Sequence, residues 1–314
     1  MRKRTIILII LMILTGLSLL LYPTVSDYLK NLSYRRAITD YIANVEPLDD
    51  GRSEAMLADA RAFNEALAEK GGFVPLLSVA EQKTYDSLLD IDGTGVMGYV
   101  SIPKVNISLP VYHGTSDAVL QHGVGHLEGS SLPVGGTGTH AALSAHTGLP
   151  SAKLFTNIDQ LVLGDSFTVQ VLKETLTYEV DQILVVLPDQ TEALNIEPGE
   201  DYCTLVTCTP YGVNSHRLLV RGRRVPTPVE TAPPTEPVAQ APVPDEGYRS
   251  GPGAKWGLLI CVAALLVLLA AGLVLVLLRR HKRKLAQAKH LKRPAKKTQA
   301  PPEASNSGNN EERR

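Results

Sequence analysis

A thiol, an imidazole and a guanidinium stand where they could serve one reaction: Cys208, His146 and Arg217. A cysteine is a good nucleophile only as a thiolate, and nearby cations favour that form. A guanidinium supplies the cation and keeps its proton. An imidazole supplies the missing acid/base group. Cys208 ends a stretch rich in β-branched residues, 202–208, and the turn residues Pro210, Gly212 and Asn214 follow it. Arg217 opens the next apolar stretch, so a hairpin-like pairing would bring the two together. His146 follows the apolar run 141–143 and precedes Gly148 and Pro150, which puts it at another strand end. Strand ends are where a rigid scaffold delivers reactive side chains to a cleft.

Other residues of the same types make weaker claims. Cys203 lies five residues before Cys208, so on one strand the two point to opposite faces. Their Cα atoms would be about 16 Å apart, and a disulfide needs them within about 7 Å. Cys261 falls inside an apolar run. An exported chain with an unpaired thiol therefore points to reactivity at Cys208. His122, His126 and His140 read as structural, and Arg221, Arg223 and Arg224 as surface charges. The glycine-rich stretch 135–139 follows no strand–loop–helix phosphate pattern, which excludes a nucleotide site.

The elements that must position these residues are β-strands. Seven stretches fit strands separated by Gly/Pro/Asn/Asp clusters: 96–105, 107–112, 140–146, 166–171, 175–187, 202–208 and 217–225. So many short strands in one segment point to a barrel or sandwich. Pro103 and Pro110 mark edges or bulges. Short helical pieces fit near 117–121 and 151–161. Before residue 90 the pattern is helical, with stripes over 26–45, 53–70 and 81–89.

Charge and hydropathy set the topology. Arg2, Lys3 and Arg4 precede an apolar run at 5–22, and a second run covers 256–278. Both are about the length a bilayer requires. Residues 279–297 hold ten Lys/Arg and no Asp/Glu. Basic flanks on both outer ends place both termini in the cytoplasm and the middle outside, a multi-pass arrangement; the alternative for the first run is a cleaved signal peptide, against which stand its length and the lack of an A-x-A site after it. The net charge of −1 thus hides an outward segment at −13, which argues against nucleic acid as a partner. The basic tail fits anionic lipid headgroups. Residues 226–255 are rich in Pro, Thr, Glu and Ala and read as a tether. The domain order is a basic N-terminus at 1–4, a span at 5–22, a helical segment at 23–90, the strand domain at 91–225, the tether, a span at 256–278 and a basic tail at 279–314.

Thr204-Leu205-Val206-Thr207-Cys208, with Arg217 nine residues on, resembles the sortase signature, a TLxTC strand with a downstream arginine. Thr209-Pro210-Tyr211-Gly212, the run from His216 to Gly222, and Gly148-Leu149-Pro150 after the histidine are similar to class C sortases, the pilin-polymerising branch. The likeness covers 96–225, under half the chain. It implies a mainly β fold, an eight-stranded barrel with an N-terminal helical segment, here flanked by two transmembrane helices. It implies Cys208 as nucleophile, His146 as general acid/base, and Arg217 as donor of hydrogen bonds to substrate and oxyanion. It implies pilin precursors bearing an LPxTG-type signal cut between Thr and Gly, and a lysine amine of another pilin as acceptor, with no metal or organic cofactor. A peptidoglycan amine as acceptor, water as acceptor in a cysteine hydrolase, and a non-catalytic tethered binding module are the alternatives. In class C relatives a lid carrying an Asp-Pro-aromatic motif plugs the site. Here Pro75 matches the proline, Val74 stands for the Asp and Leu76 for the aromatic, with Phe73 adjacent. Phe73 and Leu76 are the lid candidates, and the missing Asp predicts a less occluded Cys208.

Overall fold

The chain divides into two units, Met1–Ala254 and Lys255–Arg314. The structure, a computed structural model, describes residues 2–228, all in the first. The expected span at 256–278, the tail at 279–314 and nearly all of the tether lie outside the described residues.

Helix α1 spans Arg2–Val45 without a break, where the sequence pattern predicts an apolar span and a separate second helix. Pro23 lies inside it; a proline removes one backbone bond, but its fixed φ is helical. Among the described residues, α1 is the one helix long and apolar enough to cross a membrane. Its second half docks on the strands. Tyr34, Tyr41 and Val45 are buried, and the Tyr41 hydroxyl donates to Met97 O (3.0 Å) while accepting from Leu172 N–H (2.7 Å). Helix α2 (Asp50–Ala68) begins where the Asp49 side chain accepts the Arg52 N–H, an N-cap ahead of the apolar stripe. Helix α3 (Val79–Ser87) begins at a Ser78/Glu81 capping box and buries Tyr85.

Eight strands then close a barrel: β1 (Val96–Ile102), β2 (Ile107–His113), β3 (Val124–His126), β4 (Thr139–Ser144), β5 (Ser166–Val171), β6 (Glu174–Val186), β7 (Asp201–Thr209) and β8 (His216–Val225). The order around it is β1-β2-β3-β4-β7-β8-β6-β5. Alternate residues fill the interior, among them Val100, Val111, Phe167, Val169, Cys203 and Leu205, all fully buried. Each large apolar one contributes about 1.5–3 kcal/mol of burial. Strand β3, three residues long, is the one the pattern does not predict, because no alternation shows over so short a run. Pro110 is interior to β2, opposite Tyr99 of β1. The β2–β3 ladder starts only at Val111, so no partner needs the absent N–H. The helix expected at 151–161 is a set of turns ending in a 3-10 turn at Ile158–Gln160; Leu154 in the left-handed region (φ 42°) breaks it. α4 (Asp117–Leu120) is a single turn before β3.

Candidate active site

Three adjacent strands of the barrel, β4, β7 and β8, carry the site. Cys208 on β7 is directly opposite Arg217 on β8, so both side chains leave the same face of the sheet. On the other side of β7, the β4 ladder ends at Ser144 opposite Val206. It is prolonged by Ala145 N–H to Val206 O (3.1 Å) and by Thr207 Oγ1–H to Ala145 O (2.7 Å). The next residue is His146. A chain that follows β7 this far reaches the level of Cys208, so the three residues lie on neighbouring strands with the cysteine on the middle one. All three side chains are half-buried.

They share a cavity of about 340 Å³ on the outer face of these strands. Its apolar lining includes Leu120, Leu127, Val186, Leu187, Leu194, Val206 and Leu219. Much of that lining belongs to a hydrophobic cluster separate from the barrel core, built on Ala142, Leu194, Val206 and Leu219. The separation follows from alternation: Cys203 and Leu205 point inward, whereas Val206 and Cys208 point out. Cys203 is fully buried, and burial pushes its thiol far above the usual range. The Arg217 guanidinium donates to the carbonyls of Asn214 (3.3 Å) and His216 (3.1 Å), which leaves its other donors for a ligand.

Phe73 lines this cavity and packs on its apolar cluster; Leu76 is 86% exposed and does not reach it. Two contacts hold the segment there. Phe73 N–H donates to Asn195 Oδ1 (3.2 Å), and Val74 N–H donates to Gly129 O (3.0 Å). Gly129 has φ +84°, and a Cβ there would sit 1.7 Å from Val74 O. No other residue allows this approach.

Asn195, on the β6–β7 connection, is a residue that the sequence pattern does not single out. Its carbonyl accepts from His140 Nδ1 (2.9 Å), which fixes the tautomer, and Nε2 then accepts from the Thr204 hydroxyl (2.7 Å). Burial, foremost, holds His140 below the ordinary imidazole range. His126 has the same character: it is fully buried between the Tyr85 hydroxyl (2.9 Å) and Ser131 O (2.8 Å). Tyr211 belongs to the run after Cys208 that carries the family likeness, and the structure gives it a contact. Its ring lies where a Cβ on Gly148 would meet it at 3.2–3.4 Å, and Gly148 has φ +74°. The loop after Cys208 thus rests on the loop after His146. Arg221 is no isolated surface charge. Its Nε and Nη2 donate to the two oxygens of Asp181 (3.0 and 2.9 Å), Nη1 donates to Glu197 (3.3 Å), and it covers the Tyr202 ring at 4.0 Å.

Residues 100–225 match the sortase domain family. The crystal structure of sortase C1 from Streptococcus agalactiae is 53% identical, with a TM-score of 0.60, over 62% of this chain and 100% of that one. The chain belongs to the sortase family. A Clostridium perfringens sortase C, solved with the C-terminal cell wall sorting motif, is 43% identical with a TM-score of 0.54, over 61% of this chain and 99% of that one. Among curated sortases, Sortase A of Streptococcus agalactiae serotype III (strain NEM316) is 32% identical over 117 residues, 36% of this chain and 47% of that protein. Sortase D of Bacillus subtilis (strain 168) is 29% identical over 131 residues, 41% of this chain and 63% of that protein. This sortase therefore spans about half to two thirds of the length of these two curated relatives.

Proposed function

We propose that this sortase is a membrane-anchored cysteine transpeptidase of the class C type, joining pilin subunits outside the cell. The observation that carries the reading is the register of three neighbouring strands, which gathers Cys208, Arg217 and His146 at one cavity. The cavity's apolar lining suits the leucine and proline of an LPxTG-type signal, and the Clostridium perfringens relative was solved with a sorting motif.

The Cys208 thiolate attacks the threonine carbonyl carbon, and the carbonyl oxygen becomes an oxyanion. Arg217, through the donors it does not use on the Asn214 and His216 carbonyls, donates hydrogen bonds to that oxygen. The C–N bond to glycine breaks, and the imidazolium of His146 gives its proton to the leaving amine. A thioester remains on Cys208. A lysine amine of the next pilin then attacks it, His146 takes the amine's proton, and Cys208 leaves as thiolate. One peptide bond is broken and one isopeptide bond is made. The helix α1 confines the enzyme to the surface where its substrates are held, which raises effective concentration. The outward placement of residues 26–255 and the second anchor belong to the same proposal.

The test uses the full chain in nanodiscs, a fluorescent LPxTG peptide and a lysine peptide, with products read by mass spectrometry. An isopeptide product that dominates over the hydrolysed acid supports the reading. Hydrolysis unaffected by added amine makes the protein a hydrolase, and no cleavage removes the enzyme reading.

A further inference from the structure

Strand β6 has one bare edge. Its ladder with β5 runs from Glu174 to Glu179, and Val180 still exchanges bonds with Gly164 and Asp165. Beyond a bulge at Val180/Gln182, residues 182–186 pair, among the described residues, with β8 alone. Natural edges are blunted with Lys, Pro or bulges because open N–H and C=O groups invite another strand. Here the bulge and Pro188 stand at the two ends, and five aliphatic residues, 183–187, lie between them without a charge. Leu184 and Val186 turn toward the cavity cluster, while Ile183, Val185 and Leu187 are 37%, 60% and 45% exposed. Val162 and Leu163, just before Gly164, add two more exposed apolar side chains.

The edge leads to the site. Val186 is in register with Arg217, which is in register with Cys208. Leu187 and Pro188, where the edge ends, line the cavity. Between Lys173 and Arg217 the sequence has eight Asp/Glu and no Lys/Arg; four of the eight, Glu174, Asp181, Glu197 and Glu200, are ion-paired to Arg61, Arg221 and Arg223. Glu179 and Asp189, flanking the bare stretch, and Glu192 are exposed and have no ion pair among the described residues.

We propose that this edge binds the amine-bearing acceptor by strand addition, taking an extended segment of alternating apolar and lysine residues. The claim rests on the transpeptidase reading, in which the donor's sorting signal fills the apolar cavity and the acceptor must dock elsewhere. Backbone bonds to β6 would hold the segment, and the acidic flanks would favour its lysines. A chain running off the Pro188 end arrives at the cavity mouth.

The probe is a synthetic peptide of alternating valine and lysine. Its comparator carries N-methyl groups on two adjacent central amides, which spoils both strand edges and keeps the charge. Binding of each to the full chain in nanodiscs is read by fluorescence anisotropy, and each is offered as amine acceptor with an LPxTG donor peptide. The unmodified peptide should bind about tenfold more tightly, the worth of one or two net backbone hydrogen bonds. Val185→Lys should erase that difference and leave donor-peptide cleavage unchanged. Equal binding of the two peptides overturns the proposal, and it needs no variant to do so. A chain that is dimeric and becomes monomeric on Val185→Lys also overturns it, since the edge would then belong to a second copy. Absence of donor cleavage with the binding difference intact would count against the transpeptidase reading and not against the edge.

Discussion

Cys208 and Cys203 sit on one strand and differ in exposure and surroundings. Cys208 is half-buried at a cavity beside a cation; Cys203 is sealed in the barrel with its thiol pushed up by burial. Cys208→Ala should abolish transfer. Cys203→Ala should keep it and cost about 1–2 kcal/mol of stability through a small cavity, read by urea unfolding. In the native chain, iodoacetamide should label Cys208 and spare Cys203. Arg217→Lys keeps the charge and loses the planar fork, so transfer should fall by about a hundredfold or more, the worth of an oxyanion donor. Robust transfer by this variant would leave Arg217 only a general electrostatic role. Arg221→Lys should leave transfer near normal and lower stability, because its partners are Asp181, Glu197 and the Tyr202 ring rather than the cavity.

At the scale of elements, the Cys208–Arg217 pairing was legible because turn residues and β-branched runs are local signals. Asn195's grip on Phe73 was not: it joins residues 122 apart in sequence and depends on how the β6–β7 connection folds over the sheet. Strand β3 was invisible for lack of length. The starts of α2 and α3 follow from Asp49 and Ser78, whose side chains take orphan N–H groups ahead of the apolar stripes. The missing Asp of the lid motif predicts an open thiol, yet Phe73 lines the cavity from a tethered segment. Phe73→Ala should therefore raise the rate of Cys208 alkylation about fivefold, as loss of roughly 1 kcal/mol of apolar contact implies. Leu76→Ala should change nothing. An unchanged rate in both variants would restore the open-site expectation.

Across the whole molecule, two buried histidines tie stability to pH. Burial holds His126 down at about 4, against 6.5 unperturbed, while it bridges α3 and the strands. Between those values the unfolded chain takes up a proton that the folded chain refuses. Its stability is thus complete above pH 6.5 and lost as pH falls toward 4. The loss should reach about 2 kcal/mol between pH 7 and pH 5, with His140 acting in the same direction. Urea midpoints across that range check it, and a flat profile would contradict it. Topology tests the other whole-chain expectation: protease added to intact protoplasts should remove residues 26–255 and spare both ends. Acylation of Cys208 within the cavity can be trapped. The full chain is mixed with an LPxTG peptide, quenched in acid, digested and mapped by mass spectrometry. The Leu-Pro-x-Thr acyl mass is expected on the fragment containing Cys208 and absent from Cys208→Ala. Glycine released from the peptide with no acyl mass on Cys208 would contradict it.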